Sequence, residues 1–150
     1  MKNILVIDDK DDVRSFVSVA LSAFGFAIRQ ARDGEVALQM IVDAKPDLII
    51  CDVSMPGMNG YEILSAVRAS SVTVAVPFIM MTGLVTADGF RRAMTAGADD
   101  YLVKPFSPDD LVDSVMSRMV RRVDFEIDAE ERVRHQFEYS TTALAGAVPA

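Results

Sequence analysis

Short apolar runs alternate with longer stretches of helical period along the whole first part of the chain. The runs are 3–7 (NILVI), 26–30 (FAIRQ), 47–51 (DLIIC), 76–81 (VPFIMM) and 99–103 (DDYLV), and each has the length of a strand. Between the first two, DVRSFVSVALSAFG sets Val13, Phe16, Val17, Ala20, Leu21 and Phe24 on one stripe before Gly25, as in an amphipathic helix closed by a glycine. A second helix is predicted from Asp33-Gly34 to about Ala44, ahead of Pro46, and a third from about Tyr61 to Ala69. A fourth over 86–96 contains Gly89, which costs a helix interior about 1 kcal/mol relative to Ala. The fifth opens at Ser107-Pro108-Asp109-Asp110, which offers a cap, a first-turn proline and two acids that complement the helix dipole.

This alternation is the pattern of β-α-β units. Runs as apolar as LIIC and FIMM are those of strands buried on both faces, so the sheet should be mostly parallel with helices on both sides. Ligands of such a sheet bind at the carboxyl ends of the strands, where the strand order switches.

Composition narrows the partners. The 150 residues carry 15 basic and 22 acidic side chains, a net charge of −7, which argues against nucleic-acid binding through a broad basic face. A single cysteine permits neither an intramolecular disulfide nor a cysteine-rich zinc site, and a reducing cytoplasm is the expected setting. No segment has the roughly 18 uninterrupted apolar residues of a membrane span, and no membrane association is expected.

Reading each strand to its carboxyl end collects Asp8 and Asp9, then Asp52, Thr82 and Lys104. Three clustered carboxylates repel one another unless a cation joins them, and hard oxygen ligands suit Mg²⁺. A lysine and a hydroxyl on neighbouring strand ends add a positive charge and a donor for phosphoryl oxygens. A carboxylate can itself attack phosphorus, and Asp52 is the best placed to do so, alone on its strand end between the acidic pair and the lysine.

The pieces ILVIDDK, PDLIICDVSMPGMNGYE, PFIMMTG and AGADDYLVKPFS, in this order and spacing, resemble the receiver domain of two-component response regulators. The likeness runs from Met1 to about Val120, and implies a flavodoxin-like doubly wound sheet of five parallel strands in the order 2-1-3-4-5. It implies that Asp52 takes a phosphoryl group from a histidine kinase or phosphotransfer protein, with Mg²⁺ on Asp9, Asp52 and the Ser54 carbonyl and with Asp8 supporting the metal through water. Thr82 and Lys104 would contact the phosphoryl oxygens, and Tyr101 would turn inward as Thr82 moves. The Lys104–Pro105 peptide would be cis. The face of the fourth helix, fifth strand and fifth helix would change, and Arg91, Arg92, Asp99, Asp100 and Arg118 on or near it could form a charged homodimer interface. Such a chain is a signalling domain that assists its own phosphorylation and dephosphorylation rather than a turnover enzyme.

The chain departs from many relatives at Asn59, where they carry Asp, although either residue serves a turn before Gly60. Ser54 and Leu84 stand two residues after the acceptor and two after Thr82, positions that in the family tune hydrolysis. Neither can orient an attacking water well, so slow self-dephosphorylation is expected. Asp11 and Asp12 are read as favouring the helix dipole, Cys51, Met80 and Met81 as core, and His135 as a solvated helix residue.

Residues 1–120 therefore form the expected receiver, and 121–150 an extension or linker that prolongs the fifth helix, partly flexible and without a complete output domain. Val112, Met116, Met119 and Val123, resumed by Val133 and Phe137, fit either a short coiled-coil seam or, for the first four, packing on the sheet. Two other readings remain. Asp9-Lys10-Asp11 matches the acid-x-acid start of phosphatases that resemble haloacid dehalogenases, with Asp9 as nucleophile, but Asp52 then has no part and no Gly-Thr follows. A receiver-like binding module that works without phosphate would be expected to lack one of the five key positions.

Overall fold

The computed structural model describes residues 1–83 and 86–126, with side chains to residue 119. Five strands alternate with five helices: β1 (Asn3–Ile7), α1 (Asp11–Ser22), β2 (Ala27–Ala31), α2 (Gly34–Asp43), β3 (Leu48–Asp52), α3 (Gly60–Ala69), β4 (Phe78–Thr82), α4 (Ala87–Ala96), β5 (Asp100–Val103) and α5 (Pro108–Glu126). All strands pair in parallel, in the order β2-β1-β3-β4-β5, so the doubly wound, flavodoxin-like expectation holds. The chain divides into two compact units, Met1–Met116 and Ser117–Ala150, and the fold and site described below belong to the first.

β2, β3 and β4 begin and end one or two residues beyond the predicted runs, while β5 begins one residue later and ends where predicted. At the start of β3 the Asp47 carboxylate accepts from the Asn3 amide at 2.8 Å. Ahead of β4 stands Pro77, which has no N–H to give a ladder. At the other end β3 takes in Asp52 and β4 takes in Thr82, so both chemical side chains sit on the last, rigidly paired residue of a strand.

β3, β4 and all of β1 except Asn3 are buried. Leu5, Ile7, Ile49, Cys51, Phe78 and Met80 form one core with Ala37 and Ile41 of α2, Ile63, Leu64 and Val67 of α3, and Ala93 of α4. By strand alternation Ile4, Val6, Ile50, Ile79 and Met81 face the other side, where α1 buries Val17 and Leu21 and α5 buries Leu111 and Val115. The α1 stripe is narrower than predicted: Phe16 and Phe24 are exposed, and Phe16 meets Phe106 edge to face at 5.9 Å. In α5 the buried residues are Leu111, Ser114, Val115 and Met119, while Val112 is half-buried and Met116 exposed, so of the predicted set Met119 is buried and Met116 is not. Val133, His135 and Phe137 lie outside the described residues. No described helix is long and apolar enough to cross a membrane.

Capping accounts for the helix starts. Asp33 accepts from the Val36 amide at 2.8 Å. Asn59 and Glu62 form a reciprocal capping box, and so do Ser107 and Asp110, at 3.0 and 3.2 Å. Thr86 caps α4 by accepting from Gly89, so the glycine that weakened the sequence case occupies the first turn, where its amide is satisfied by the cap. Gly25 has φ 85° and turns the chain from α1 toward β2.

Two local devices fix the ends of the sheet. At the carboxyl end Gly60 opens α3 against the end of β3, where a Cβ would lie 2.4 Å from the Asp52 carbonyl oxygen. At the opposite end Arg68 donates to the Gly97 carbonyl at 2.9 and 3.1 Å, to Val74 at 3.0 Å and to Val76 at 2.6 Å. It also pairs with Asp99 at 3.0 Å, whose same oxygen accepts from the Phe78 amide at 2.8 Å. One guanidinium thus joins the end of α3, the approach to β4, the end of α4 and the start of β5.

Arg68→Leu should lower unfolding free energy by about 3 kcal/mol in a urea titration, because several part-buried acceptors lose a charged donor together. Gly60→Ala should cost about 2 kcal/mol or more by the same measurement, since the methyl meets backbone rather than a movable side chain.

Candidate functional site

The parallel register delivers the predicted side chains to one edge. Asp8 follows the last residue of β1, Asp52 and Thr82 end β3 and β4, and Lys104 follows β5. Backbone bonds lock these ends together: Val53 N donates to Met81 O at 2.9 Å, and Lys104 N to Thr82 O at 2.7 Å. The Lys104–Pro105 peptide is cis, as expected.

The Lys104 ammonium bridges two carboxylates, at 2.9 Å to Asp8 Oδ2 and 3.0 Å to Asp52 Oδ1. Asp8 is fully buried, Asp52 and Thr82 nearly so, and Asp9 is exposed. Carboxylate oxygens of Asp8, Asp9 and Asp52 come within 4.8 Å of one another. Three acids against one ammonium leave two negative charges in a small space, a donor set of hard oxygens that fits one divalent cation such as Mg²⁺. The family resemblance implies a place behind water for Asp8; its second oxygen accepts from the Lys10 amide at 2.9 Å, so both of its oxygens already have protein partners.

Burial pushes the Asp52 carboxyl above its usual range, with the Asp8 and Asp9 charges adding to the rise and Lys104 pulling against it. For Lys104 burial opposes the charged form, but the hydrogen bonds to Asp8 and Asp52 prevail and raise it above its ordinary value. Cys51 is raised well above a free thiol, by burial first and then by the charges of Asp52 and Asp8. It is the neutral core residue expected, not a nucleophile.

Tyr101, on β5 opposite Met80, is half-buried and meets Phe90 edge to face at 5.8 Å. A Cβ on Gly89 would stand 3.0 Å from its hydroxyl, so the glycine leaves room for the tyrosine where it lies. Tyr61 links α3 to α4: its hydroxyl donates to the Gly89 carbonyl at 3.4 Å, and the Arg92 guanidinium stacks over its ring at 4.0 Å. Burial raises the Tyr61 pKa, an effect that Arg92 partly opposes. Exposed Ser54, in the loop after β3, lines an open groove of about 460 Å³ with Val53, Met55, Asn59, Tyr61 and Arg92. Leu84 lies outside the described residues.

The charged face read from sequence is more engaged than expected. Asp99 is held by Arg68 and the Phe78 amide, Asp100 accepts from Ser114 and from the Tyr101 amide, and Arg92 covers Tyr61. Sequence reasoning passed over Arg14. Its Nη1 donates to the Asp8 carbonyl at 2.6 Å, and its one visible signal is a base in the first turn of a helix, where the dipole disfavours positive charge.

Comparison with known proteins agrees with this geometry. Residues 4–116 match the family model of the response regulator receiver domain. The chain is 40% identical over 111 residues to the phosphate regulon transcriptional regulatory protein PhoB of Pseudomonas aeruginosa, covering 74% of this chain and 48% of that protein. It is 32% identical over 155 residues to the DNA-binding response regulator MtrA of Mycobacterium leprae, covering 95% and 68%. The chain thus spans about half the length of PhoB. Among solved structures, the chemotaxis protein CheY4 of Vibrio cholerae superposes with a TM-score of 0.75 at 35% identity, covering 78% of this chain and 98% of that one. The receiver domain of the Francisella response regulator 1452 gives 0.76 at 30%, covering 81% and 99%. With the family model, the strand order and the acid and lysine cluster in agreement, the chain belongs to the response regulator receiver family.

Proposed function

We propose that the chain is a phosphorylation-controlled switch in which Asp52 accepts a phosphoryl group from a sensor histidine kinase or phosphotransfer protein. The observation that carries this is the Lys104 ammonium held between Asp8 and Asp52 at the strand ends. A haloacid-dehalogenase-like reading centred on Asp9 gives that bridge no part. In the transfer an Asp52 oxygen forms a bond to phosphorus as the bond from phosphorus to the histidine nitrogen breaks, and the imidazole leaves and takes up a proton.

Asp9, Asp52 and the Ser54 carbonyl would hold Mg²⁺, with Asp8 supporting it through water, and the ion would neutralise the acids and the incoming phosphoryl oxygens. Lys104 exchanges one carboxylate for a phosphoryl oxygen, and the Thr82 hydroxyl donates to another. Tyr101 then turns inward, and the face of α4, β5 and α5 takes its active form. A few kcal/mol of differential interaction with the phosphoryl group is enough to move such a population. The output is a partner contact or homodimerisation through that face or the C-terminal helix, and with a net charge of −7 the receiver acts on protein rather than nucleic acid. Residues 1–120 form the receiver and 121–150, of which 127–150 lie outside the described residues, an extension or linker, working in the cytoplasm. The regulation of transcription in the name of PhoB indicates the kind of output such a receiver controls.

Incubation with acetyl phosphate and Mg²⁺ should add one phosphoryl group by intact mass, and Asp52→Asn should add none. An adduct that persists in the variant would overturn the assignment. Because Ser54 and Leu84 supply no water-orienting acid or amide, the labelled protein should keep its phosphoryl group for minutes or longer; a half-life of seconds contradicts this.

The raised Asp52 pKa carries a second expectation for the same variant. The fold favours neutral Asp52, a contribution present below the unfolded carboxylate pKa and lost as pH rises through the native value. In chelator at pH 7 Asp52→Asn should therefore melt at a higher temperature than the wild type, and the difference should shrink as the pH falls. A variant less stable at pH 7 would contradict it.

A further inference from the structure

Asp9 is the exposed member of the acidic cluster, and no side-chain packing fixes its direction. Its backbone is held instead. The Asp8 carbonyl, on the peptide that leads into Asp9, accepts from Arg14 Nη1 at 2.6 Å, and a planar peptide held at its oxygen fixes the direction of the next Cα. On either side, Asp8 N donates to Ala31 O at 3.2 Å and Lys10 N to Asp8 Oδ1 at 2.9 Å. Arg14 N closes the first helical bond, to Lys10 O at 3.2 Å.

The guanidinium is itself anchored. Its side chain is only 12% exposed, Nη2 pairs with Asp11, and Nε donates to Gln30 Oε1 on β2 at 3.3 Å. The planar fork reaches three acceptors at once, which a lysine cannot do.

We infer that Arg14 is a positioning residue for the divalent cation: it orients the Asp8–Asp9 peptide so that the Asp9 carboxylate meets those of Asp8 and Asp52. This rests on reading the three acids as a Mg²⁺ site. Groups that orient metal ligands from behind change metal affinity by roughly 10- to 100-fold when removed.

The test is the dissociation constant for Mn²⁺ in unphosphorylated protein, followed by the loss of the free-ion signal in electron paramagnetic resonance. The second readout is the Mg²⁺ concentration that half-saturates labelling by acetyl phosphate. Arg14→Met should raise both by about 10-fold or more, while the labelling rate at saturating Mg²⁺ stays within about twofold. Arg14→Lys should recover part of the loss, and Gln30→Ala, at an exposed position, should give a rise of about two- to threefold. Arg68→Leu, which weakens the fold at the other end of the sheet, should leave the Mn²⁺ constant unchanged.

A folded Arg14→Met with the wild-type constant overturns the inference. If that variant does not fold, wild-type constants in both Arg14→Lys and Gln30→Ala overturn it. A wild type that binds no Mn²⁺ refutes the metal reading itself, whereas binding that is indifferent to Arg14 refutes only this inference.

Discussion

A half-buried ammonium shared by two carboxylates from strands that are neighbours in space but 44 positions apart in sequence underlies the whole site. Three acids brought together at the end of a sheet would drive it apart, and Lys104 is the charge that lets them stay before any metal or phosphate arrives. It can do so because the ladder between β4 and β5 sets its backbone, through the bond from its amide to Thr82. The bridge is also incomplete, since one positive charge faces three negative ones. Attraction for a divalent cation and strain in the apo arrangement are the same fact seen from two sides.

The ladder explains why the site is rigid where it needs to be. Asp52 and Thr82 are the last paired residues of two central, fully buried strands, so their Cα positions are fixed by a core of Ile, Met and Phe rather than by a loop. Asp9, by contrast, sits on exposed backbone. Two kinds of support thus meet in one cluster: apolar packing beneath Asp52 and Asp8, and a guanidinium behind the peptide of Asp9.

Much of this was legible in the sequence. The apolar runs located all five strands to within one or two residues, since strands buried on both faces leave continuous Ile, Leu, Val and Met. The strand ends then named Asp8, Asp9, Asp52, Thr82 and Lys104 because a parallel sheet sends all its carboxyl ends to one side. The illegible parts depend on three-dimensional approach. Nothing in the spacing reveals that Arg68 gathers four segments, that Arg14 reaches the back of Asp8, or that Asp99 faces Arg68 instead of a partner. Long basic side chains find acceptors many residues away, and periodicity carries no record of where they end. The width of the α1 stripe was misjudged for a related reason: Phe16 finds Phe106 at the surface instead of entering the core.

The clasp made by Arg68 has a consequence for motion. It grips the carbonyl of Gly97, just past the last turn of α4, and ties it to α3 and to the start of β5. Among the described residues, the other end of α4 is held by a threonine cap, one long hydrogen bond from Tyr61 and the edge contact of Phe90 with Tyr101. A helix held more firmly at one end than at the other would, on displacement, pivot about the firmer end, here Gly97. The widest arc of such a pivot would fall on Thr86 to Phe90, the stretch against which Tyr101 rests.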